Sequence, residues 1–314
     1  MKILITGGLG HIGSYLIKNL NKLKKVKEIY IIDNFYTNRY SSLFKLPKTK
    51  KKVFFQDMDL SKKNSLKKIK KVDIVIHLAS LTDAENSFKI KKKIYRNNLG
   101  MFSNIVNYCK KNKAKLIHIS STSIYGEQKG IVNENCKKLR PKSPYAEIKI
   151  KEENILNRNG KNIKYVTFRF GTISGISQGM RFHTAINKFC LYTILGKPLP
   201  IWKGMMNKPR PYLSLRDAFK VIKYTLEKKF FNNETYNILS QNLTLKQIIS
   251  FFKIYKKNII VKNTNSKLLN QYSYYISNKK FSNKAIKLKS NIKDDVKETL
   301  KIFGKINHEI KFNR

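Results

Sequence analysis

The sequence predicts an α/β protein in which a doubly wound parallel sheet of about seven strands is followed by a smaller α+β part. Short runs rich in Ile and Val alternate with amphipathic stretches through the first two-thirds of the 314 residues. Buried strands that are each followed by a helix are typical of βαβ crossovers, which form parallel sheets covered on both faces. A glycine-rich turn follows the first run, and the alternation becomes irregular beyond residue 170.

The apolar patterns predict where the elements lie along the chain. Strands are expected at residues 2–6, 28–32, 53–55, 73–77, 115–120 and 163–168. Helices are expected at residues 12–23, 65–69, 86–111, 144–157, 182–195, 214–228, 245–253 and 293–303. Prolines at four positions between residues 198 and 211 predict loops there, because proline interrupts regular structure.

The composition is globular but strongly cationic. Apolar residues make up 41% of the chain, and the formal net charge is +47. Nucleic-acid surfaces usually concentrate charge on one face and read bases with Arg. Here 57 lysines stand against 9 arginines and are spread over every segment. We interpret the charge as a lysine-rich solvated surface that attracts anionic ligands, with no specific nucleic-acid partner.

No apolar run reaches the roughly 20 residues that span a bilayer. A strand at residues 2–6 leaves no room for a signal peptide. The cysteines Cys109, Cys136 and Cys190 lack the spacing of zinc or disulfide sites, and no metal site is expected. We therefore expect a cytoplasmic protein that does not contact a membrane.

The first strand runs directly into a turn and then a helix, with the sequence Gly7-Gly8-Leu9-Gly10-His11-Ile12-Gly13. Glycines at three spaced positions allow a tight turn, close approach of the backbone to a pyrophosphate, and tight packing of the helix on the strand. The N–H groups at a helix N-terminus favour phosphate. The sequence therefore predicts a dinucleotide site with contacts from Gly7, Gly10, His11, Ile12 and Gly13.

Asp33 ends the second strand, twenty residues after the last glycine of this turn. A carboxylate there accepts hydrogen bonds from the adenosine ribose and repels a 2′-phosphate, which favours NAD over NADP. Arg39 lies near enough in the sequence to leave NADP as an alternative. Asn34 belongs to the same turn. Asp57 and Met58, at the end of the third strand, are expected near the adenine, with a helix-cap role as the alternative for Asp57.

Tyr145 and Lys149 form a Tyr-x-x-x-Lys pair, which places both side chains on one face of a helix. An ammonium group beside a phenol stabilises the phenolate, so such a tyrosine can act as a base near neutral pH. The pattern is weak by itself because the chain has 17 tyrosines and 57 lysines, and it recurs at Tyr125/Lys129, Tyr224/Lys228 and Tyr275/Lys279.

The surroundings of Tyr145 select this pair. Ser143-Pro144 supplies a helix cap and a first-turn proline just before it. The fifth strand ends in the hydroxyl-bearing residues 120–123, and ligands bind at the carboxyl ends of parallel strands. A serine from this run can complete a Ser–Tyr–Lys group over a nicotinamide.

Six landmarks in this order resemble the extended short-chain dehydrogenases. Within them the chain is most similar to the NAD-dependent epimerase/dehydratase family, whose members include UDP-glucose 4-epimerase. The similarity spans essentially the whole chain, and it rests on Thr6-Gly7-Gly8-x-Gly10-x-x-Gly13, Asp33-Asn34, His77-Leu78-Ala79, Ser120-Ser121 before Tyr125-Gly126, Tyr145-x-x-x-Lys149 and Arg169-Phe170.

The resemblance implies an NAD-binding Rossmann domain at residues 1–170, completed by a strand and a helix from about 212–240. Residues 171–211 and 241–314 would form the part that binds a nucleotide-diphosphate sugar. The family also implies a homodimer through the helices at 86–111 and 144–157.

The resemblance assigns roles to single residues. Tyr145 would be the catalytic base and acid, and Lys149 would favour its ionisation and anchor the cofactor ribose. Ser121 would orient the reacting oxygen. Asn97 would lie near the cofactor, with a helix-face amide as the alternative. The nicotinamide side of the site would be lined by Leu78, Ala79 and Ser80.

Thr122 and Ser123 stand where family dehydratases carry an acidic pair and decarboxylases tend to carry a glutamate. The resemblance therefore favours an NAD-dependent epimerase that oxidises its substrate transiently to a keto-sugar at C4, with Tyr145 moving the proton. An NAD(P)H-dependent reductase or dehydrogenase is the alternative. A dehydratase and a non-catalytic binding member are less favoured.

The resemblance also indicates substrate contacts. Arg210 is similar to a family arginine that binds the diphosphate, a task that suits a bidentate guanidinium. Trp202 is similar to the aromatic residue on which the base stacks, with core packing as the alternative. Arg181 and Asn187 are further candidates, together with Thr122 and Ser123. Thr172 stands where 4-epimerases of the family often have Asn. The resemblance therefore does not determine which sugar is bound.

Overall fold

The structure is a computed structural model that describes residues 1–44, 46, 49–82, 88, 90–202, 204–256, 258–264 and 274–304. Its strands are β1 (Lys2–Thr6), β2 (Glu28–Asp33), β3 (Lys52–Asp57), β4 (Ile74–His77), β5 (Lys115–Ser121), β6 (Ile131–Val132), β7 (Tyr165–Phe170), β8 (Thr172–Ser174), β9 (Leu199–Trp202), β10 (Pro209–Ser214), β11 (Thr235–Ile238), β12 (Gln241–Thr244), β13 (Val261–Thr264) and β14 (Tyr275–Ile276). Its α-helices are α1 (His11–Leu20), α2 (Ser41–Phe44), α3 (Lys91–Asn112), α4 (Pro144–Asn159), α5 (Ala185–Ile194), α6 (Leu215–Lys228), α7 (Leu245–Lys253), α8 (Lys279–Lys284) and α9 (Ile292–Gly304).

Seven parallel strands form the main sheet, in the order β3-β2-β1-β4-β5-β7-β11. Successive side chains of a strand point to opposite faces, so a strand between two helix layers is apolar at every position. In β1, Ile3 and Ile5 pack with α1 and α6, whereas Leu4 packs with α3 and α4. The predicted doubly wound parallel sheet is therefore confirmed.

The smaller part is built on a second sheet, in which β10 pairs with β8 in parallel and with β12 in antiparallel orientation. Helices α5, α7 and α9 enclose an apolar cluster beside it. Two further strand pairs, β9–β13 and β6–β14, are parallel. β11 follows β8 and β10 along the chain but belongs to the main sheet, where it forms the edge strand beside β7. No helix in the described ranges is long and apolar enough to cross a membrane.

The predicted loops at residues 198–211 are wrong, because this stretch contains β9 and the first half of β10. Pro200 lies in β9, which pairs only with β13 among the described strands. Pro209 and Pro211 lie in the part of β10 that pairs with β12 alone. Proline removes a backbone donor, so a strand tolerates it where one side is unpaired. Of the predicted helix at 86–111, residues 86, 87 and 89 lie outside the described ranges, and α3 begins at Lys91.

A buried ion pair ties α4 to β5 and β7. Glu153 accepts two hydrogen bonds from Arg169, at 3.0 Å from Nε and 2.6 Å from Nη2, and a third at 2.6 Å from the Ser120 hydroxyl. Arg169 also donates to the Tyr125 hydroxyl at 2.7 Å, which in turn donates to Asn237 of β11 at 2.8 Å. One network therefore links α4 to three neighbouring strands.

Glu153→Gln should lower the free energy of unfolding by about 3–5 kcal/mol, because it leaves the Arg169 charge buried without its counter-charge. Denaturant titration measures this change. The exposed pair Lys223–Glu227 supplies the control, since Glu227→Gln should stay within about 0.5 kcal/mol of the wild type. Equal effects of the two substitutions would contradict the role given to Glu153.

Candidate active site

The glycine turn that joins β1 to α1 needs glycine at two positions. Gly7 takes a φ of 64°, a conformation that favours glycine, and its N–H donates to the Ile32 carbonyl at 2.7 Å. A Cβ on Gly13 would lie 2.6 Å from the Cα of Gly8, closer than real Cβ contacts. The helix therefore packs directly on the turn.

The start of α1 offers backbone donors. Its first helical hydrogen bond runs from the Ser14 N–H to the Gly10 carbonyl at 2.9 Å. The N–H groups of His11, Ile12 and Gly13 precede that bond, so they lie at the positive end of the helix dipole. Such an end binds a phosphate group.

Asp33 lies against this turn. Its carboxylate accepts the N–H groups of Leu9 and Phe35, each at 3.1 Å. Burial raises the pKa of Asp33, while the two N–H donors and Arg39 act in the opposite direction. The Arg39 guanidinium is 3.5 Å from where a Cβ on Gly10 would stand. Asp33 therefore fixes the turn and keeps further lone pairs for hydroxyl donors.

The segment that follows β4 packs on the glycine turn. The Thr6 hydroxyl lies 2.8 Å from His77 Nδ1 and accepts the N–H groups of Leu78 and Ala79 at 3.2 and 3.3 Å. A Cβ on Gly7 would lie 2.7 Å from the Ala79 Cα. Leu78 and Ala79 are thereby brought to the same edge of the sheet as the helix N-terminus.

Asn98, which the sequence analysis missed, holds the next residues of this segment. Its side chain accepts the Leu81 N–H at 3.0 Å and donates to the Ser80 hydroxyl at 3.0 Å. Asn97 reaches this group only through a hydrogen bond to Asn98 at 3.1 Å. The available signal was spacing, because Asn98 lies four residues after the buried Ile94 on the inward face of α3.

The hydroxyl residues at the end of β5 separate into two environments. Ser121 Oγ accepts the Ser123 N–H at 3.1 Å and the Ser123 hydroxyl at 2.9 Å, at the carboxyl edge of the sheet. Thr122 is buried, and its hydroxyl donates to the Phe170 carbonyl at 3.3 Å. The Thr122 hydroxyl, predicted to contact the substrate, therefore donates its proton to β7 and can only accept a hydrogen bond from a ligand.

Tyr145 and Lys149 lie at the start of α4. The Ser143 hydroxyl caps this helix by accepting the Ala146 N–H at 3.2 Å, and Pro144 occupies the first turn. Lys149 Nζ lies 5.7 Å from the centroid of the Tyr145 ring. The ammonium group is therefore close enough to act on the phenol.

Lys149 forms an ion pair with Glu152, a residue that the sequence analysis did not predict to belong to the site. Its Nζ donates to Glu152 Oε2 at 2.7 Å, and His118 Nε2 lies 3.0 Å from the same oxygen. Burial by itself lowers the pKa of Lys149, but Glu152 and Tyr145 outweigh it and raise that pKa. The available signals were a histidine inside an apolar strand and two consecutive glutamates after Lys149.

A segment after β8 closes over the start of α1. A Cβ on Gly179 would lie 2.5 Å from the Gly10 carbonyl oxygen, and the Gly179 N–H donates to the Ser14 hydroxyl at 3.0 Å. His11 Nε2 lies 2.7 Å from the Gly175 carbonyl oxygen. The His11 imidazole therefore joins the two parts of the chain, and the predicted cofactor contact of His11 stays with its backbone N–H.

Two of the predicted substrate residues lie together beside the segment that follows β4. Arg181 donates to the hydroxyl of Thr82, and its carbonyl accepts the Asn187 side chain at 3.0 Å. Asn187 is fully buried, and its Oδ1 has no partner in the described part of the chain. Thr172 is half-buried at the start of β8.

Arg210 and Trp202 belong to the smaller part. Arg210 Nε is buried and has no hydrogen-bond partner among the described residues. Burial raises the pKa of Tyr212 and of Tyr274, while the nearby Arg210 charge acts to lower both. Trp202 ends β9 and packs against the apolar cluster of this part. A buried guanidinium N–H without a partner suits an anionic ligand.

The remaining predicted contacts lie at the ends of β2 and β3. Asp57 is exposed, and the Met58 N–H donates to the Asp33 carbonyl at 3.0 Å. Asn34 is exposed and accepts the Tyr36 N–H at 3.2 Å. The structure thus brings the glycine turn, Asp33 and the segment after β4 together and leaves these residues at the rim.

The residues present fit NAD. The glycine turn leaves a cradle that a Cβ would fill, the N–H groups at the start of α1 suit a pyrophosphate, and Asp33 stands beside them for a ribose. Ser121 ends β5, and Tyr145 stands at the start of α4, which packs against β5. No group of three or more His, Cys, Asp or Glu that could hold a metal ion occurs in the described ranges.

Comparisons with known proteins agree with this geometry. The profile of the NAD dependent epimerase/dehydratase family matches residues 3–238. An uncharacterized UDP-glucose epimerase of Bacillus subtilis is 30% identical over 247 residues, 76% of each chain. An ADP-L-glycero-D-manno-heptose-6-epimerase of Brachyspira hyodysenteriae is 26% identical over 232 residues, 72% of each chain.

The crystal structure of UDP-glucuronic acid 4-epimerase from Bacillus cereus, in complex with UDP-glucuronic acid and NAD, superimposes with a TM-score of 0.88. The sequence identity is 25%, and the match covers 98% of this chain and 100% of that one. The chain belongs to the NAD-dependent epimerase/dehydratase family. The predicted family, its enzymatic nature and its NAD dependence are therefore confirmed.

Buried histidines make this family member sensitive to acid. Burial lowers the pKa of His11 and of His77 from 6.5 to about 3. Below about pH 6.5 the unfolded chain binds protons that the folded chain does not bind until about pH 3. Their contribution to stability is therefore complete above this window and is lost as the pH falls through it.

We expect the free energy of unfolding to fall by about 1.4 kcal/mol per pH unit for each of these histidines across the window. Denaturant titration at several pH values measures the slope. His77→Gln should reduce the slope by about that amount whatever its effect on stability at neutral pH. The same slope in both proteins would show that His77 is protonated in the folded state.

Proposed function

We propose that this chain is a nucleotide-sugar epimerase that oxidises its substrate transiently to a keto-sugar at C4 and reduces it again on the other face. The observation that supports this most is a buried ammonium, Lys149 Nζ, held 5.7 Å from the Tyr145 ring centroid. The glycine turn and the start of α1 lie at the carboxyl end of β1, in the same main sheet. The similar proteins described above carry the names of nucleotide-sugar epimerases.

The chain's own side chains would handle the proton. Tyr145, as the phenolate, takes the proton of the sugar hydroxyl, and the Lys149 ammonium stabilises that phenolate. Ser121 donates a hydrogen bond to the reacting oxygen. Bound NAD would supply the acceptor and donor of the hydride. The same phenol returns the proton after the sugar has turned, so the overall reaction neither consumes nor releases one.

The cofactor would lie along the carboxyl edge of the main sheet. The N–H groups at the start of α1 would hold its pyrophosphate, and Asp33 would accept the adenosine ribose hydroxyls. Lys149 would hold the other ribose. Leu78, Ala79 and Ser80 would line the nicotinamide side, since their segment packs on Gly7.

The substrate would bind between this edge and residues 171–211 and 241–314. Arg210 is proposed to bind the diphosphate, because its buried Nε lacks a partner within the described residues, and Arg181 would contribute a second positive charge. A guanidinium binds phosphate oxygens in a bidentate way. Trp202, half-buried at the end of β9, offers a face on which a nucleobase can stack.

The assay that tests this function uses nucleotide sugars without added cofactor. The purified chain, incubated with UDP-glucose or with UDP-glucuronic acid, should give the C4 epimer, detected by NMR, because an epimerase regenerates its cofactor in each cycle. Turnover of these hydroxyl-bearing sugars that consumes NAD or NADP stoichiometrically would instead identify a dehydrogenase, whereas a reductase would consume NADH or NADPH only with a keto-sugar. Tyr145→Phe should lower turnover by about 10²–10⁴-fold, since it removes the acid and base.

Another Tyr-x-x-x-Lys pair supplies the matched control for this substitution. Tyr275 has the same spacing to Lys279 but is exposed, outside the site. Tyr275→Phe should therefore leave turnover unchanged. A Tyr145→Phe enzyme as active as Tyr275→Phe would exclude the proposed base.

A homodimer through α3 and α4 is a further prediction for this chain. Within the described residues, none of the large exposed apolar side chains lies on either helix, and exposed positions include Lys92, Arg96, Lys151 and Arg158. This face is therefore cationic, whereas homodimer interfaces are more apolar. We expect raised salt to favour the dimer by screening these charges. Light scattering that gives the 36.8 kDa monomer mass at every salt concentration would exclude it.

A further inference from the structure

The two consecutive glutamates of α4 have different partners. Both stand at helical spacing from Lys149, at positions i+3 and i+4. Glu153 pairs with Arg169, which donates a hydrogen bond to each of its carboxylate oxygens, at 3.0 and 2.6 Å. Glu152 is left for Lys149 at 2.7 Å and for His118 at 3.0 Å. Glu152 therefore belongs to the candidate site, and Glu153 belongs to the network between the strands.

The group that includes Glu152 is closed to solvent. The side chains of Lys149, Glu152 and His118 are 4%, 1% and 0% exposed. His118 Nδ1 lies 3.2 Å from the Thr167 hydroxyl, which fixes the ring from the other side. A buried ammonium without a counter-charge is strongly disfavoured and tends to lose its proton. Little solvent is therefore present to replace the carboxylate beside this ammonium.

We propose that Glu152 is a positioning residue that acts through Lys149. It holds the ammonium beside Tyr145 and preserves its charge, and His118 fixes the carboxylate that does so. The proposal rests on the role given to Lys149 in the proposed function, in which Lys149 holds the cofactor ribose and stabilises the phenolate.

The groups around Lys149 leave Glu152 as its counter-charge. Burial lowers the pKa of His77 of β4 and of His118 of β5, which favours the neutral form of each imidazole. Glu153 faces the same region, but Arg169 of β7 offsets its charge at 2.6 Å. The phenol of Tyr145 carries a charge only when it ionises. Removing the Glu152 charge should therefore leave the Lys149 ammonium without a counter-charge.

The test is calorimetry of NAD binding to the wild type and to Glu152→Gln, across pH and in buffers of different ionisation enthalpy. In Glu152→Gln, Lys149 should lose its proton at a lower pH. Above that midpoint the Kd for NAD should rise about tenfold per pH unit, because NAD binding then requires that Lys149 be protonated again. Each binding event should therefore remove as much as one proton from the buffer. The wild type should take up no proton over the same range.

Two variants accompany this measurement. Glu227→Gln removes an exposed carboxylate of α6 and should leave the pH dependence unchanged. Glu152→Asp keeps the charge but shortens the side chain by one methylene. Its Kd for NAD should also rise with pH, and the midpoint pH of that rise should lie between those of Glu152→Gln and the wild type. It also serves as the test if Glu152→Gln does not fold.

Each result decides the question. Weaker binding that is equal at every pH, without proton uptake, would mean that Glu152 is only structural and would overturn the proposal. Unchanged binding in both Glu152 variants would overturn it as well. If the wild type itself binds no NAD, the proposed function fails first, and the role of Glu152 fails with it.

Discussion

The buried carboxylates at the centre of α4 join the chemistry of the candidate site to the stability of the sheet. Glu153 fastens the helix to β5 and β7 through Ser120 and Arg169. One residue earlier, Glu152 fastens Lys149 to His118. Glu152 and Glu153 are consecutive on one helix. The position of the Lys149 ammonium therefore depends on the same packing of α4 against the main sheet that the Glu153–Arg169 pair stabilises.

The parallel sheet explains why residues from distant parts of the sequence meet. Every strand of a parallel sheet ends at the same edge, so the turn after β1, the segment after β4 and the hydroxyls at the end of β5 are neighbours. Thr6 ties the first two of these together through Leu78 and Ala79. Gly179, from the other part of the chain, covers the turn because it too has no side chain.

The family match and the geometry determine the cofactor end of the site more fully than the substrate end. The matched profile spans residues 3–238, which leaves β12, α7 and α9 outside it. The residues proposed to contact the diphosphate, Arg181 and Arg210, lie within the matched range but outside the main sheet. The family match therefore shows NAD as the cofactor, whereas the sugar and the nucleotide depend on side chains whose roles are proposed.

Local signals in the sequence determined the main sheet, the glycine turn and the start of α4, because strand periodicity, glycine spacing and the Ser143-Pro144 cap each act within a few residues. Only the tertiary structure decided which glutamate pairs with Lys149, and that the Thr122 hydroxyl turns toward Phe170. It also decided that prolines stand in β9 and β10. Such outcomes depend on which strand lies beside a residue, and that neighbour comes from far along the chain.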